Sequence, residues 1–214
     1  MSAALEEPIK PTIVGRSSSH FTRVTRIFAE ELDVACSFHV GRDLMSMDPG
    51  DYGGNPALKL PALKTPRGVW FGALNICREL SRQSRHGRRI VWPEDLDVPL
   101  LANAQELVVQ AMATEVTLIM AKVAGGAEGN VHQDKLGRSL VNTIEWLEEN
   151  AQHALAALPS DRDFSFLEVT LFCLVTHLEF RDVLPMDAYR ALNAFSQHFA
   201  TRASAAATAY RFDA

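Results

Sequence analysis

Few residues in this chain are placed where they could do chemistry, and two stretches stand out. The run "SSSH", Ser17 to His20, closes a short β-branched segment and opens a helical pattern. A serine hydroxyl at such a point can cap the helix by accepting from an orphan amide of its first turn. The run "NPALKLPALKTPRGVWFGALNIC", residues 55 to 77, leads a proline-bounded apolar segment into a helix that starts on Gly72 and Ala73, and neither can supply a capping side chain. Such a start still offers main-chain amides and the positive end of the helix dipole, and so keeps some capacity for an anion. Elsewhere the options thin out. Cys36, Cys77 and Cys173 form no CxxC pair and lie among apolar neighbours, which reads as buried reduced thiols and fits a cytoplasmic location. His132, His153, His177 and His198 lack ligand spacing with other histidines or cysteines, so they read as surface or satisfied core positions and no metal site is assigned. Arg82, Arg85, Arg88 and Arg89 read as a solvated helix end without a function.

The elements that position the two stretches follow from pattern. After a first ten residues that read as a loose arm, "PTIVG" is a strand, and Phe21, Val24, Ile27, Phe28 and Leu32 repeat at helical spacing. "ACSFHV" reads as a second strand, and "KLPALKT" and "VWF" around "PRG" as a hairpin. A helix from about Gly72 to Ser81 then completes a βαβ–ββα order. This gives an α/β domain over residues 11–84, a linker over 85–98 and an all-helical domain over 99–214. In the second domain Leu101, Ala104, Leu107, Val108, Ala111, Met112, Val116, Ile119 and Met120 mark one helix, stopped by "GGAEGN". A second helix runs from about Val131 to Leu158, the nearly all-apolar "FSFLEVTLFCLVTHL" predicts a buried third, and Met186 to Arg202 an amphipathic last one. Ser165 and Glu168 have the spacing of a capping box, each able to satisfy a backbone donor of the other's residue.

Composition excludes several partners. The chain has 214 residues, 47% of them hydrophobic and 22% charged, with a net charge of −5. That is ordinary globular composition, with no concentration of positive charge for nucleic acid and no apolar run of membrane-spanning length.

From Pro11 to about Thr208 the chain resembles the cytosolic glutathione transferases, which join a thioredoxin-like domain to a helical one. The resemblance rests on the asparagine-proline start, the lysine before an apolar-proline pair and the apolar strand entering a helix in "NPALKLPALKTPRGVWFGALNICREL". It rests also on Ser19, Phe21 and Arg23 after the first strand, on the box at Ser165 and Glu168, and on "TRASAAAT". It implies a serine-type transferase that conjugates the thiol of glutathione, its co-substrate, to a small apolar electrophile.

In that reading Ser19 donates to the thiolate while the helix start lowers the thiol pKa. The run of serines leaves the register open, so Ser17 or Ser18 could be presented instead. His20 replaces the family's usual proline, so its imidazole either enters the site or, the favoured reading, faces solvent. Pro61 is expected cis, leaving the Leu60 main chain to pair with the glutathione backbone as an added strand would, and Lys59 either reaches the glycyl carboxylate or is merely solvated. Gly72 and Ala73 stand where the family carries an acid and a serine that hold the γ-glutamyl group. Losing two charge-assisted hydrogen bonds at ~1.5 to 3 kcal/mol each weakens glutathione roughly 100-fold or more. The departure favours a second reading, a non-catalytic protein of this fold that binds another small ligand or a protein partner. A disulfide oxidoreductase is disfavoured because no cysteine lies at residues 16 to 20. The resemblance further implies a homodimer, and an electrophile site along Met112, Glu115, Val116 and Ile119.

Overall fold

The computed structural model describes residues 10–125 and 130–213; the N-terminal arm and most of "GGAEGN" lie outside the described residues. The chain divides into two units, one running to His86 and resuming at Ala207, the other spanning Gly87–Ala206.

The first unit contains β1 (Thr12–Gly15), α1 (His20–Glu31), β2 (Ser37–Val40), a 3-10 turn at Pro49–Tyr52, β3 (Ala62–Thr65), β4 (Gly68–Phe71) and α2 (Ala73–Gln83). The strands form one sheet in the order β2-β1-β3-β4, with β1 and β2 parallel, β3 antiparallel to β1 and β4 antiparallel to β3. This is the thioredoxin-like arrangement that the order of patterns predicts. The β-branched Ile13 and Val14 are buried in β1, and Val24, Ile27, Phe28 and Leu32 place the apolar stripe of α1 in the core. On α2, Ile76, Cys77 and Leu80 are buried at helical spacing. The same helix buries Glu79, whose carboxylate accepts from Arg82 at 3.2 Å and Gln83 at 2.9 Å and pairs with Arg67 at 3.6 Å. A buried carboxylate is tolerated because several donors replace its lost hydration.

The second unit is built of helices α3 (Pro99–Val123), α4 (Val131–Ala157), α5 (Phe166–Phe180) and α6 (Arg190–Phe199), with the short α7 (Ala203–Ala207) where the chain leaves it. The apolar α5 is buried along its length, including Val169, Leu171, Phe172, Cys173, Leu174 and Leu178.

Several expectations need correction. The stretch read as a linker contains a strand, β5 (Ile90–Val91), which pairs in parallel with β6 (Phe164–Ser165) just before α5. Two-residue strands joined across more than seventy positions carry no periodicity to read. The arginines beside β5 are not merely solvated, since Arg88 pairs with Asp163 at 3.1 Å and Arg89 with Asp161. The box at the start of α5 is also rearranged. Ser165 Oγ accepts from the Glu168 amide at 3.0 Å, but the Glu168 carboxylate takes the Ser165 hydroxyl at 2.7 Å and the Arg162 guanidinium at 2.6 and 3.0 Å. A charged donor outcompetes a neutral amide for a carboxylate. The last amphipathic helix begins at Arg190 rather than Met186, and Cys36 is half-buried while Cys77 and Cys173 are buried.

Candidate functional site

β1 and β4 end where β3 begins. Their register pairs Val14 with Ala62 and Ala62 with Phe71. One step outward, Gly15 ending β1, Pro61 before β3 and Gly72 after β4 therefore form a row across one end of the sheet. Neighbouring strands lie about 4.8 Å apart, so the row spans about 10 Å. The serine turn and the two ends of the 55–77 stretch lie side by side because of this pairing.

The first segment is the turn from β1 into α1. Gly15 is required by close approach, since a Cβ there would stand 2.4 Å from the Thr22 methyl in the first turn of α1. The turn closes with the Ser19 amide donating to the Arg16 carbonyl at 3.1 Å and the Arg16 amide to Thr22 Oγ1 at 3.3 Å. Ser19 is the N-cap of α1, its Oγ accepting from the Thr22 amide at 3.3 Å. That contact uses a lone pair and leaves the hydroxyl proton to be donated elsewhere. Ser17 differs. Its hydroxyl is buried with no hydrogen-bond partner among the described residues, and its amide donates to Asp213 Oδ2 at 2.8 Å. Ser18 is half-buried. His20, expected to face solvent, is fully buried, with its ring edge-on to Phe21 at 4.6 Å.

The second segment is the loop into β3. Asn55 organises it, its side chain donating to the Lys59 carbonyl at 2.8 Å and accepting from the Ala57 amide at 3.0 Å. The Leu60–Pro61 peptide is cis. Lys59 is exposed, Leu60 half-buried and Pro61 buried.

The third segment is the start of α2. Gly72 is its N-cap at φ 81° and ψ 141°, and no side chain caps the helix there. A Cβ at Gly72 would meet nothing within 4 Å, so the side chain's place is open while the backbone conformation is one that glycine alone adopts easily. Ala73 is the first helical residue.

In the helical unit the residues read as an electrophile site have unequal exposure. Met112 and Glu115 are buried, Ile119 half-buried and Val116 38% exposed. Glu115 Oε1 lies 2.7 Å from His177 Nδ1, making His177 a core histidine with a buried carboxylate neighbour. Sequence reasoning did not foresee Asp213 at the first turn or Glu115 beside His177. Those contacts span 196 and 62 positions, and no local pattern signals them.

No family model and no curated protein matches the sequence. The fold does have solved counterparts. A glutathione S-transferase from Methylobacillus flagellatus, solved with glutathione bound, superposes with a TM-score of 0.74 at 16% identity over 94% of this chain and 100% of its own. A glutathione transferase family member from Pseudomonas fluorescens, also with bound glutathione, gives 0.74 at 18% identity with the same coverage. Gtt2 of Saccharomyces cerevisiae gives 0.68 at 13% identity over 92% of this chain and 99% of its own. The chain has the glutathione transferase fold.

Proposed function

We propose that this chain is a glutathione S-transferase-like protein that joins the thiol of glutathione to a small apolar electrophile. The observation that carries this reading is the row at one end of the sheet: a capping serine at the start of α1, the loop ending at Leu60 and Pro61, and the open start of α2. A tripeptide laid along that row has its cysteinyl backbone beside the Leu60 main chain and its γ-glutamyl carboxylate against the first amides of α2, where partial positive charge favours an anion. The exposed Lys59 is within the same segment as Leu60 and offers a cation to the glycyl carboxylate.

Chemistry then falls to Ser19. Its Oγ accepts from the Thr22 amide, which polarises the hydroxyl toward donating its proton to a sulfur anion. Together with the dipole of α1, this stabilises the thiolate relative to the thiol and raises the fraction of nucleophile at neutral pH. The thiolate electron pair forms the sulfur–carbon bond to the electrophile, whose leaving group departs with its bonding pair or whose double bond takes up a proton from water. Ser19 keeps its own proton throughout. Ser17 fits this part less well, because its hydroxyl is enclosed.

One observation favours a second reading. With Gly72 and Ala73 at the start of α2, the γ-glutamyl group meets amides but no carboxylate or hydroxyl side chain, and the same row would then serve a different small ligand or a protein partner without catalysis. Calorimetry with glutathione, followed by a conjugation assay with an activated aryl halide, separates the two. Saturable binding with turnover supports the transferase, whereas absence of binding at millimolar glutathione overturns it. We further infer a homodimer, for which the mass in solution at micromolar concentration is the test, a monomer being the contrary result.

A further inference from the structure

The first unit is completed by residues 207–213, which lie against α1 in a definite register. The Ala207 carbonyl accepts from Arg26 at 3.4 Å, the Tyr210 ring lies under the Arg23 guanidinium at 4.3 Å, and Asp213 Oδ2 takes the Ser17 amide at 2.8 Å. Three tail positions spaced by three thus meet Arg26, Arg23 and Ser17 in turn. The segment runs antiparallel to α1 and ends at the turn before it. Arg23 and Arg26, one helical turn apart, present one face to it.

We propose that this C-terminal segment is a strap whose end sets the serine turn, with Asp213 as a positioning residue that holds the Ser17 main chain and places a fixed negative charge beside the start of α1. The charge part rests on the functional reading above, in which a thiol ionises at Ser19. The charged or titratable groups on the elements meeting there are Arg16 in the turn, whose guanidinium donates to the Arg42 carbonyl, His20, Arg23, Arg26, Glu30 and Glu31 on α1, and Arg211 and Asp213 in the strap. Glu30 and Glu31 stand at the far end of α1 while Asp213 meets its start at Ser17, so Asp213 is the acid placed to moderate the positive potential that the helix start and the arginines offer to a thiolate. The strap therefore does two separable things: it orders the turn through one hydrogen bond, and it raises the pH at which a thiol bound at Ser19 ionises. A unit charge on the order of 10 Å from a titrating group, partly screened by solvent, moves its midpoint by about half a pH unit.

The test uses the full chain with Asp213→Asn, which keeps an acceptor oxygen and removes the charge, and Asp213→Ala, which removes both. Thiolate absorbance of bound glutathione against pH reads the charge, and hydrogen exchange at the Ser17 amide reads the anchor. With Asp213→Asn the midpoint falls by about half a unit and the Ser17 amide stays protected. With Asp213→Ala the midpoint falls similarly and exchange quickens roughly tenfold or more, the effect of losing a hydrogen bond to a charged acceptor. Tyr210→Ala, which leaves the charge in place, quickens exchange with a smaller change in midpoint. An unchanged midpoint in both Asp213 variants overturns the charge role, and unchanged Ser17 exchange in Asp213→Ala overturns the strap. Failure of the unmodified chain to bind glutathione instead overturns the functional reading and the charge role with it, and the exchange measurement then decides the strap alone.

Discussion

Replacing Gly72 with Glu tests the start of α2 from two sides. An acid in the first turn complements the helix dipole, and from sequence the change looks harmless to the fold. The backbone decides otherwise. Gly72 is held at φ 81° and ψ 141°, where a residue with a Cβ is strained by ~1–3 kcal/mol. The open space around the missing Cβ means that no clash adds to this. A protein of this size loses about 2–4 °C of melting temperature per kcal/mol, so Gly72→Glu should melt roughly 2–12 °C lower. Glutathione binding by the folded protein should nevertheless tighten by ~1.5–3 kcal/mol, or about 10- to 150-fold, if the carboxylate recovers a charge-assisted hydrogen bond to the γ-glutamyl amine. Gly72→Ala separates the effects, with the same loss of stability and no gain in affinity. Ala73→Ser should add affinity without capping the helix, since position 73 is the first helical residue and not the N-cap. Differential scanning calorimetry and titration calorimetry measure both quantities. An unchanged melting temperature in Gly72→Ala would refute the conformational argument, and tight glutathione binding by the unmodified chain would refute the claim that the absent side chains matter.

Ser19→Ala should cost ~1 kcal/mol of stability through the lost cap and slow conjugation roughly 100-fold through the lost donor to sulfur. Ser17→Ala, which removes a buried hydroxyl without a partner among the described residues, should leave stability equal or slightly higher and the rate unchanged; the reverse pattern in a denaturation and rate comparison would refute the assignment of the thiol to Ser19. Gly15→Ala should destabilise by ~1–3 kcal/mol in urea denaturation, because its Cβ would overlap the Thr22 side chain at 2.4 Å. Cys36 lies in a cavity of about 270 Å³ with Arg26, Glu30 and Phe38, and burial, reinforced by Glu30, pushes its thiol from the ordinary 9.0 up to about 11. Alkylation of Cys36 should therefore be slow at neutral pH and rise most steeply near that value. Because the folded state favours the neutral thiol, its contribution to stability is full below pH 9.0 and is lost as pH rises toward about 11, a loss that Cys36→Ser should remove from the alkaline limb of a stability curve.

By itself the sequence determined the local elements and their order. The 3.6-residue repeat of Val24, Ile27, Phe28 and Leu32, the proline and glycine punctuation of the β3–β4 hairpin and the serine before α1 each act within a few residues, through side-chain packing on one face or a single cap. The resemblance in "NPALKLPALKTPRGVWFGALNIC" also sufficed to anticipate the fold. What the tertiary structure alone decided depends on where distant segments are brought. The Gly15, Pro61 and Gly72 row exists because strand register aligns three chain positions. The positive φ of Gly72 follows from the path between β4 and α2, and nothing in the letters "FGA" distinguishes it from an ordinary turn. Ile90–Val91 becomes a strand only beside Phe164–Ser165. His20 carries a polar ring that sequence assigns to solvent, yet packing buries it. Asp213 reaches the Ser17 amide across 196 positions, because the free energy of such a contact is set by the packed chain around it and leaves no mark on the residues next to it in sequence.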